Sequence, residues 1–377
     1  MDLNSIRNEF PILSHSTYLD NAGIAPIPCR TINALKEFLY MYNYDDGILK
    51  PFMEFMPNLL NEIRDEFALL ISVKVQEVLP VSTSSEGINI IANAIDWKPG
   101  DNVIINDLEF PSNYYPWINL KRMGVVVRVA KSQDGRLKLN DIASLIDKHT
   151  RVITATHVAY MTGYRMDLKA LSNFARPLNI ITVVDATQSL GAIDLNVKSE
   201  GIDVVAASGF KWLLSPIGTG LLYIRENLIE NLKPKYASWM SQSDMNAKGL
   251  SDINFACDAR KFMLSGNFDM AAYVGMMTSL RWISELGIDN IEKHVSSFTH
   301  KLIDGAVSLG LFSKTSNDNK ERAGIVAICV KNPDKTLSRL KKNGIHGVTR
   351  LDAIRLSPHF FNTQEEIERV LNVLERE

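Results

Sequence analysis

Seven short apolar segments punctuate residues 78 to 224, and their alternation with helix-patterned stretches leaves few folds open. They are VLPVS, NVIIND, VVVRVA, RVITATHV, IITVVDAT, DVVAAS and GTGLLYI. SEGINIIANAI, NDIASLID and DLKALSNFARPL lie between them with helical spacing. The strand candidates are short and rich in β-branched residues, as strands covered on both faces are. Strands and helices in this order predict an α/β fold around a mostly parallel seven-stranded sheet, joined by right-handed crossovers.

After residue 260 the texture changes. MAAYVGMMTSLRWISEL and IEKHVSSFTHKLIDGAV repeat apolar residues every three or four positions and predict two amphipathic helices. GIVAICV, PDKTLSRLKKNG, DAIRLS and TQEEIERVLNVLE then read as strand, helix, strand and helix, a small α+β unit. The expected division is an N-terminal segment 1–20 packing with the small unit, a large domain 21–258 and a small domain 259–377. Helices around residues 28 to 72 are expected to bridge the two parts.

The formal net charge of -2 on 377 residues gives no basis for nucleic acid as the main partner. Cys29, Cys257 and Cys329 are widely separated and form no CxxC pair, so they suggest neither a disulfide framework nor a zinc site. They read as buried small hydrophobes in a reducing interior. MDLNSIRNEFPIL does not have the form of a signal peptide, and no apolar run is long enough to span a bilayer. A cytoplasmic protein with no membrane partner is expected.

Ligands of open α/β sheets sit at the carboxyl ends of the strands. Ser84 and Ser85 follow the first strand there, Phe110 and Asn113 the second, His157 and Tyr160 the fourth, Asp185 and Gln188 the fifth, and Ser208 and Lys211 the sixth. Each has an ordinary explanation. Thr83 to Glu86 spells a T-x-x-E capping box. Asp185 would cap a turn, His157 would be a satisfied core histidine, and Phe110 and Tyr160 would be core aromatics. Lys211 would snorkel to water.

The combination points further. A lysine between Phe210 and Trp212 in apolar surroundings loses charge and becomes a nucleophile toward an aldehyde. An acid one strand away suits a pyridine nitrogen, and hydroxyls at a helix N-terminus suit a phosphate. Lys211, Asp185, Ser84, Ser85, Ser208 and Phe110 together outline a pocket for pyridoxal 5′-phosphate. No G-x-G-x-x-G or Walker pattern follows any strand, so a nucleotide-binding alternative lacks support.

On YLDNAGIAPIP, STSSEGINIIANAI, LEFPSNYYPW, VVDATQSLGAIDL, SGFKWLLSPIGTGLLYI and IRLSPHFFNTQEEIERVL, the chain resembles the class V aminotransferase family of fold-type I pyridoxal-phosphate enzymes. That group includes cysteine desulfurases, selenocysteine lyases, kynureninases and isopenicillin-N-epimerase-like proteins. The resemblance makes Lys211 the Schiff-base lysine, pairs Asp185 with the ring nitrogen and Gln188 with the ring hydroxyl, and gives the phosphate to Ser84, Ser85 and Ser208. It implies a homodimer in which Asn267 reaches the neighbouring phosphate. Asn21, Ala22, Asn113 and Arg355 fall at substrate positions, with Arg355 gripping the α-carboxylate. Tyr160 stands near the ring hydroxyl, where some relatives have asparagine. Phe110 stands where desulfurases stack a histidine, and GIHGVTRLDAIR holds no cysteine where they carry the persulfide residue, so desulfurase chemistry is not expected. Transamination of a small amino acid is the leading expectation. A C–S or other β-lyase, an epimerase and a silent relative are the alternatives. Tyr114, Tyr115, Tyr236 and Trp239 are candidates for shaping the substrate pocket.

Overall fold

The computed structural model describes residues 2–44, 52–244, 252–264 and 268–375. Helices α1 (Cys29–Tyr44) and α2 (Phe52–Ile71) precede the sheet and pack on α5 (Met270–Leu286). All seven sequence-predicted strands form: β1 (Val78–Val81), β2 (Asn102–Asn106), β3 (Val126–Ala130), β4 (Thr150–Thr156), β5 (Ile181–Asp185), β6 (Val204–Ser208) and β7 (Gly220–Ile224). They lie in the order β1-β7-β6-β5-β4-β2-β3. From β6 through β3 every pair is parallel, whereas β7 runs antiparallel to both β6 and β1.

Alternation along the strands divides the interior in two. Val103, Ile105, Val152, Val183, Val204 and Leu222 enter the core on one face. Their neighbours Ile104, Ile153, Val184, Val205 and Leu221 enter the core on the other. Period-2 geometry does this with apolar residues at successive positions, so every strand but the edge strand β3, whose Val126 is exposed, is buried on both sides. Helices α3 (Ser84–Ala94) and α4 (Leu168–Ala175) belong to the crossovers. Thr83 and Asp167 cap them, each accepting a backbone N–H from the first turn.

The C-terminal part forms a three-stranded antiparallel sheet with β8 (Val326–Cys329) at one edge, β10 (Ala353–Leu356) in the centre and β9 (Val348–Arg350) at the other edge. Helices α6 (Ile288–Ser308) and α8 (Gln364–Leu374) share its apolar core, and α7 (Pro333–Lys342) follows β8. Strand β9 is absent from the sequence reading because three residues, one of them apolar, show no period. The N-terminal residues join this part of the molecule. Thr17 and Tyr18 pair in parallel with Ile345 and His346, and Arg7 bonds Glu366 at 3.0 Å and the Phe361 carbonyl at 2.8 Å. Among the described residues no helix is long and apolar enough to cross a membrane.

Candidate active site

The carboxyl ends of β1, β4, β5 and β6 meet at a cavity of about 190 Å³. Its wall includes Ser84, Ser85, Phe110, Tyr160, Asp185, Gln188, Ser208 and Lys211, eight of the sequence-stated site positions, together with Thr83, Ser112, Thr156 and Thr187. One end is a nest of hydroxyls at the start of α3. Ser208 Oγ accepts the Ser84 N–H at 2.9 Å, and Ser85 Oγ donates to Ser112 Oγ at 2.8 Å. The capping box is only half formed. Thr83 Oγ1 accepts from Glu86 N at 3.2 Å, but the Glu86 carboxylate reaches back to Ser82 N at 2.6 Å.

Lys211 rides on a tightly held segment. Phe210 O accepts from Ala25 N at 3.1 Å, Lys211 O from Leu214 N at 3.0 Å, and Trp212 O faces His359 Nε2 at 3.2 Å. His359 Nδ1 accepts from Phe360 N, so the ring is neutral with its proton on Nε2. Gly191 lies against the same Trp212 carbonyl at a φ of 91°, where a Cβ would stand 2.2 Å from the oxygen. Leu214 adopts the left-handed region at a φ of 54°, strain sited beside the lysine. The Lys211 ammonium lies 5.4 Å from the ring centres of both Phe110 and Phe210. Burial pulls its pKa down to about 8, against the opposing pull of Asp185.

Asp185 ends β5 in register with Thr156 and Ala206. Its Oδ1 accepts the Thr187 N–H at 2.9 Å, and burial holds its pKa above the ordinary carboxylate value. Gln188 is fixed at both ends, donating to Ala22 O at 3.0 Å and accepting the Trp212 indole N–H at 2.9 Å. Phe110 stands edge-on to Tyr160, ring centres 5.1 Å apart.

Other positions fall behind this wall. Asn113, read as a substrate contact, is fully buried, its amide donating to Glu109 and its oxygen accepting from Trp117 and Thr154. Asn21 is fully buried with its amide on Ser357 O, although among the described residues its Oδ1 lacks a partner. Ala22 is buried and engaged through its backbone with Ser357 and Gln188. Arg355, 1 % exposed, donates to Asp20 Oδ1 at 2.8 Å and to Tyr160 O at 3.0 Å, and its Nε has no partner among the described residues. Asn267 lies outside the described residues. Tyr114, Tyr115, Tyr236 and Trp239 do not line the cavity.

Two ordinary readings also change. His157 is buried, but among the described residues its Nδ1 has no hydrogen-bond partner, so it is not satisfied by them. Cys257 is exposed, and Cys29 and Cys329 are only partly buried. Sequence reasoning missed Glu109, Asp20, Ser112, Thr156 and Thr187. The first two sit inside the quoted motifs LEFPSN and YLDNAG, and an acid within such a motif was the available signal.

The donor set fits pyridoxal phosphate. Hydroxyls at a helix N-terminus suit the phosphate, a buried carboxylate suits the ring nitrogen, and the lysine amine borders the same cavity. The family model for Aminotransferase class-V matches residues 17–370. A probable cysteine desulfurase of Methanothermobacter thermautotrophicus is 29 % identical, over 100 % of this chain and 98 % of its own. An uncharacterized aminotransferase of Bacillus subtilis is 30 % identical over 82 % and 81 %. The cystine C–S lyase C-DES, solved in complex with its reaction product cysteine persulfide, superposes with a TM-score of 0.88 at 23 % identity, covering 97 % of this chain and 99 % of that one. That last likeness speaks for the fold.

Proposed function

Because the chain belongs to the class-V aminotransferase family and so works with pyridoxal phosphate, we propose that it eliminates sulfur from a small sulfur-containing amino acid, with cystine and cysteine as the substrate class. In this reading Lys211 carries the cofactor, and Asp185 faces its ring nitrogen. Gln188 faces the ring hydroxyl, with Tyr160 beside it, Phe110 stacks on the ring, and Ser84, Ser85 and Ser208 hold the phosphate. Bound there, the cofactor supplies a sink for the electron pair left when the substrate loses its Cα proton. The chain does the rest. Arg355 meets the α-carboxylate as a fork once its bonds to Asp20 and the Tyr160 carbonyl open. Lys211, with its depressed pKa, takes the Cα proton. Phe110 shields the ring from water and moves no proton. Loss of the β-sulfur group from cystine leaves cysteine persulfide, and the remainder hydrolyses to pyruvate and ammonia.

The observation that separates elimination from sulfur transfer to the enzyme is the hairpin before Arg355. Strands β9 and β10 are joined directly through Leu351 and Asp352, with no cysteine between Ile345 and Arg355 and none in the cavity wall. Transfer of sulfur to an enzyme thiolate needs such a residue; elimination needs only the lysine and a sulfur leaving group. Transamination is the second reading. One base over the ring serves a proton shift between Cα and the cofactor, and the Bacillus relative named as an aminotransferase supports it. The test is the purified chain loaded with pyridoxal phosphate and given cystine, cysteine and other amino acids. Pyruvate and ammonia in equal amounts are expected. Conversion to the pyridoxamine form without ammonia replaces elimination by transamination, and inverted substrate without new products replaces it by epimerisation. A homodimer in which Asn267 reaches the neighbouring phosphate completes the reading, and a monomer in sedimentation at micromolar concentration counts against it. Three free cysteines suit a reducing, cytoplasmic setting.

A further inference from the structure

Glu109 precedes Phe110 and has no part in the roles above. It is 7 % exposed, and among the described residues every hydrogen bond it makes is accepted from a neutral group. Oε1 accepts from Asn106 Nδ2 and from Thr156 N, the latter at 2.7 Å; Oε2 accepts from Asn113 Nδ2 at 2.7 Å. Neither amide can be turned round. Asn106 Oδ1 accepts the Leu108 N–H at 3.0 Å, and Asn113 Oδ1 accepts the Trp117 indole N–H, a group that only donates, at 3.1 Å. Three fixed donors therefore face the carboxyl group. No acceptor among the described residues faces either oxygen, so a proton there would lack a partner; the three hydrogen bonds favour a carboxylate against burial and Asp185, which push its pKa up.

A hydrogen bond links this group to the cavity. Thr156, whose N–H it accepts, lines the cavity and stands opposite Asp185 in the β4–β5 register. Asp185 is the charge that acts on Glu109 most strongly, and Lys211 and Tyr160 are the ionisable groups on the cavity side. We infer that Glu109 is a positioning residue of this site, a second buried anion behind Asp185 that raises the proton affinity of the ring nitrogen Asp185 faces. The inference rests on the pyridoxal-phosphate reading of the cavity.

The bonding pattern supplies its own control. In Glu109→Gln, Oε1 keeps Asn106 and Thr156, while the new amide meets the Asn113 amide. Adding Asn113→Asp gives that amide an acceptor, so E109Q/N113D keeps every hydrogen bond and moves the charge one bond away. With ¹⁵N-labelled cofactor bound, the ring nitrogen is titrated by NMR. E109Q is expected to lower its proton affinity by about tenfold, one pH unit, and E109Q/N113D to return most of that. No shift in E109Q, or a shift the double variant does not return, overturns the inference. A second measurement needs neither cofactor nor a folded single variant: ¹³C NMR of apoprotein labelled at glutamate carboxyls, the Glu109 signal assigned by its loss in E109Q/N113D. A carboxylate at neutral pH is expected, and a protonated acid overturns the inference. Failure of the wild-type chain to bind pyridoxal phosphate overturns the parent reading instead, and the carboxyl measurement still reports on Glu109.

Discussion

Two lysines are buried to nearly the same depth, Lys211 at 8 % and Lys261 at 9 % exposure. Each ammonium lies near an aromatic ring, Lys261 at 5.1 Å from Phe262 and Lys211 at 5.4 Å from both Phe110 and Phe210. Burial lowers both pKa values. They part in their partners. Lys261, in the short turn Ala259–Phe262, donates to the Ile229 carbonyl and does not line the active-site cavity. The Lys211 amine has no hydrogen bond among the described residues, borders the cavity, and feels the charge of Asp185 across it. Burial and aromatic company therefore do not mark a reactive lysine. An amine left without a partner, beside a space and opposite an acid, does.

The largest test of that contrast is activity. Lys211→Ala removes both the cofactor's attachment and the proton carrier, and turnover should fall by at least ~10³-fold. Lys261→Met should leave kcat within about twofold. Steady-state kinetics of both variants with the substrate found in the screen measures the difference. Equal losses would erase the distinction between the two lysines.

A second test reads the cost of burying the Lys211 charge. The amine titrates at about 8 in the folded chain against an ordinary value of 10.5. Between these values the unfolded chain holds a proton that the native state has released, so native stability rises with pH across that window. Below pH 8 the full penalty is present. The rise is about 3 kcal/mol in the apoprotein, from ~1.4 kcal/mol per pH unit. Urea unfolding at several pH values should show it in the wild type and lose it in Lys211→Met. Attaching the cofactor consumes the amine and should abolish the Lys211 share while sparing that of Lys261. A slope unchanged in Lys211→Met would mean that the amine is solvated.

Much of this was readable in the residues, for a physical reason. A lysine between two large aromatics breaks an apolar run, and an acid closing a β-branched strand breaks another, so Lys211 and Asp185 advertise themselves. All seven strands did so too, six of them because burial on both faces writes apolar runs into the sequence. Glu109 did not. Its meaning depends on donors from a strand end, a 3-10 turn and the neighbouring strand, which converge only in three dimensions. Asn113 shows the converse: its place in the motif suggested a substrate contact, but the turn Pro111–Asn113 buries it against Glu109. Arg355 was visible as an arginine in an apolar strand, whereas its pairing with Asp20 spans 335 positions and leaves no local trace. Cys257 was misread because no neighbouring pattern reports the exposure of a single small residue.

Asp185→Asn extends the comparison at intermediate size. It removes the anion that supports the Lys211 ammonium, so the amine pKa of the apoprotein should fall further below 8, while Lys261 is untouched. In the loaded enzyme the ring nitrogen loses its partner, and kcat should drop by ~10², in line with removal of one preorganised electrostatic group. Amine labelling across pH, followed by mass analysis at both lysines, separates the two sites; a Lys211 pKa that does not move would mean Asp185 does not face it.

The smallest effect is the stability of Lys261→Met, where two opposing contributions decide the sign. The methionine keeps the packed stem but leaves the Ile229 carbonyl without its charged donor, a loss of roughly 1.5–3 kcal/mol. It also relieves the chain of a buried charge, a gain of similar kind that burial's downward pull on the lysine already signals. The carbonyl bond should win narrowly, giving a destabilisation of about 1 kcal/mol and a Tm lowered by about 2–3 °C. A stabilised variant would mean that Lys261, like Lys211, is held at the expense of the fold, and the search for a second function would move to that turn.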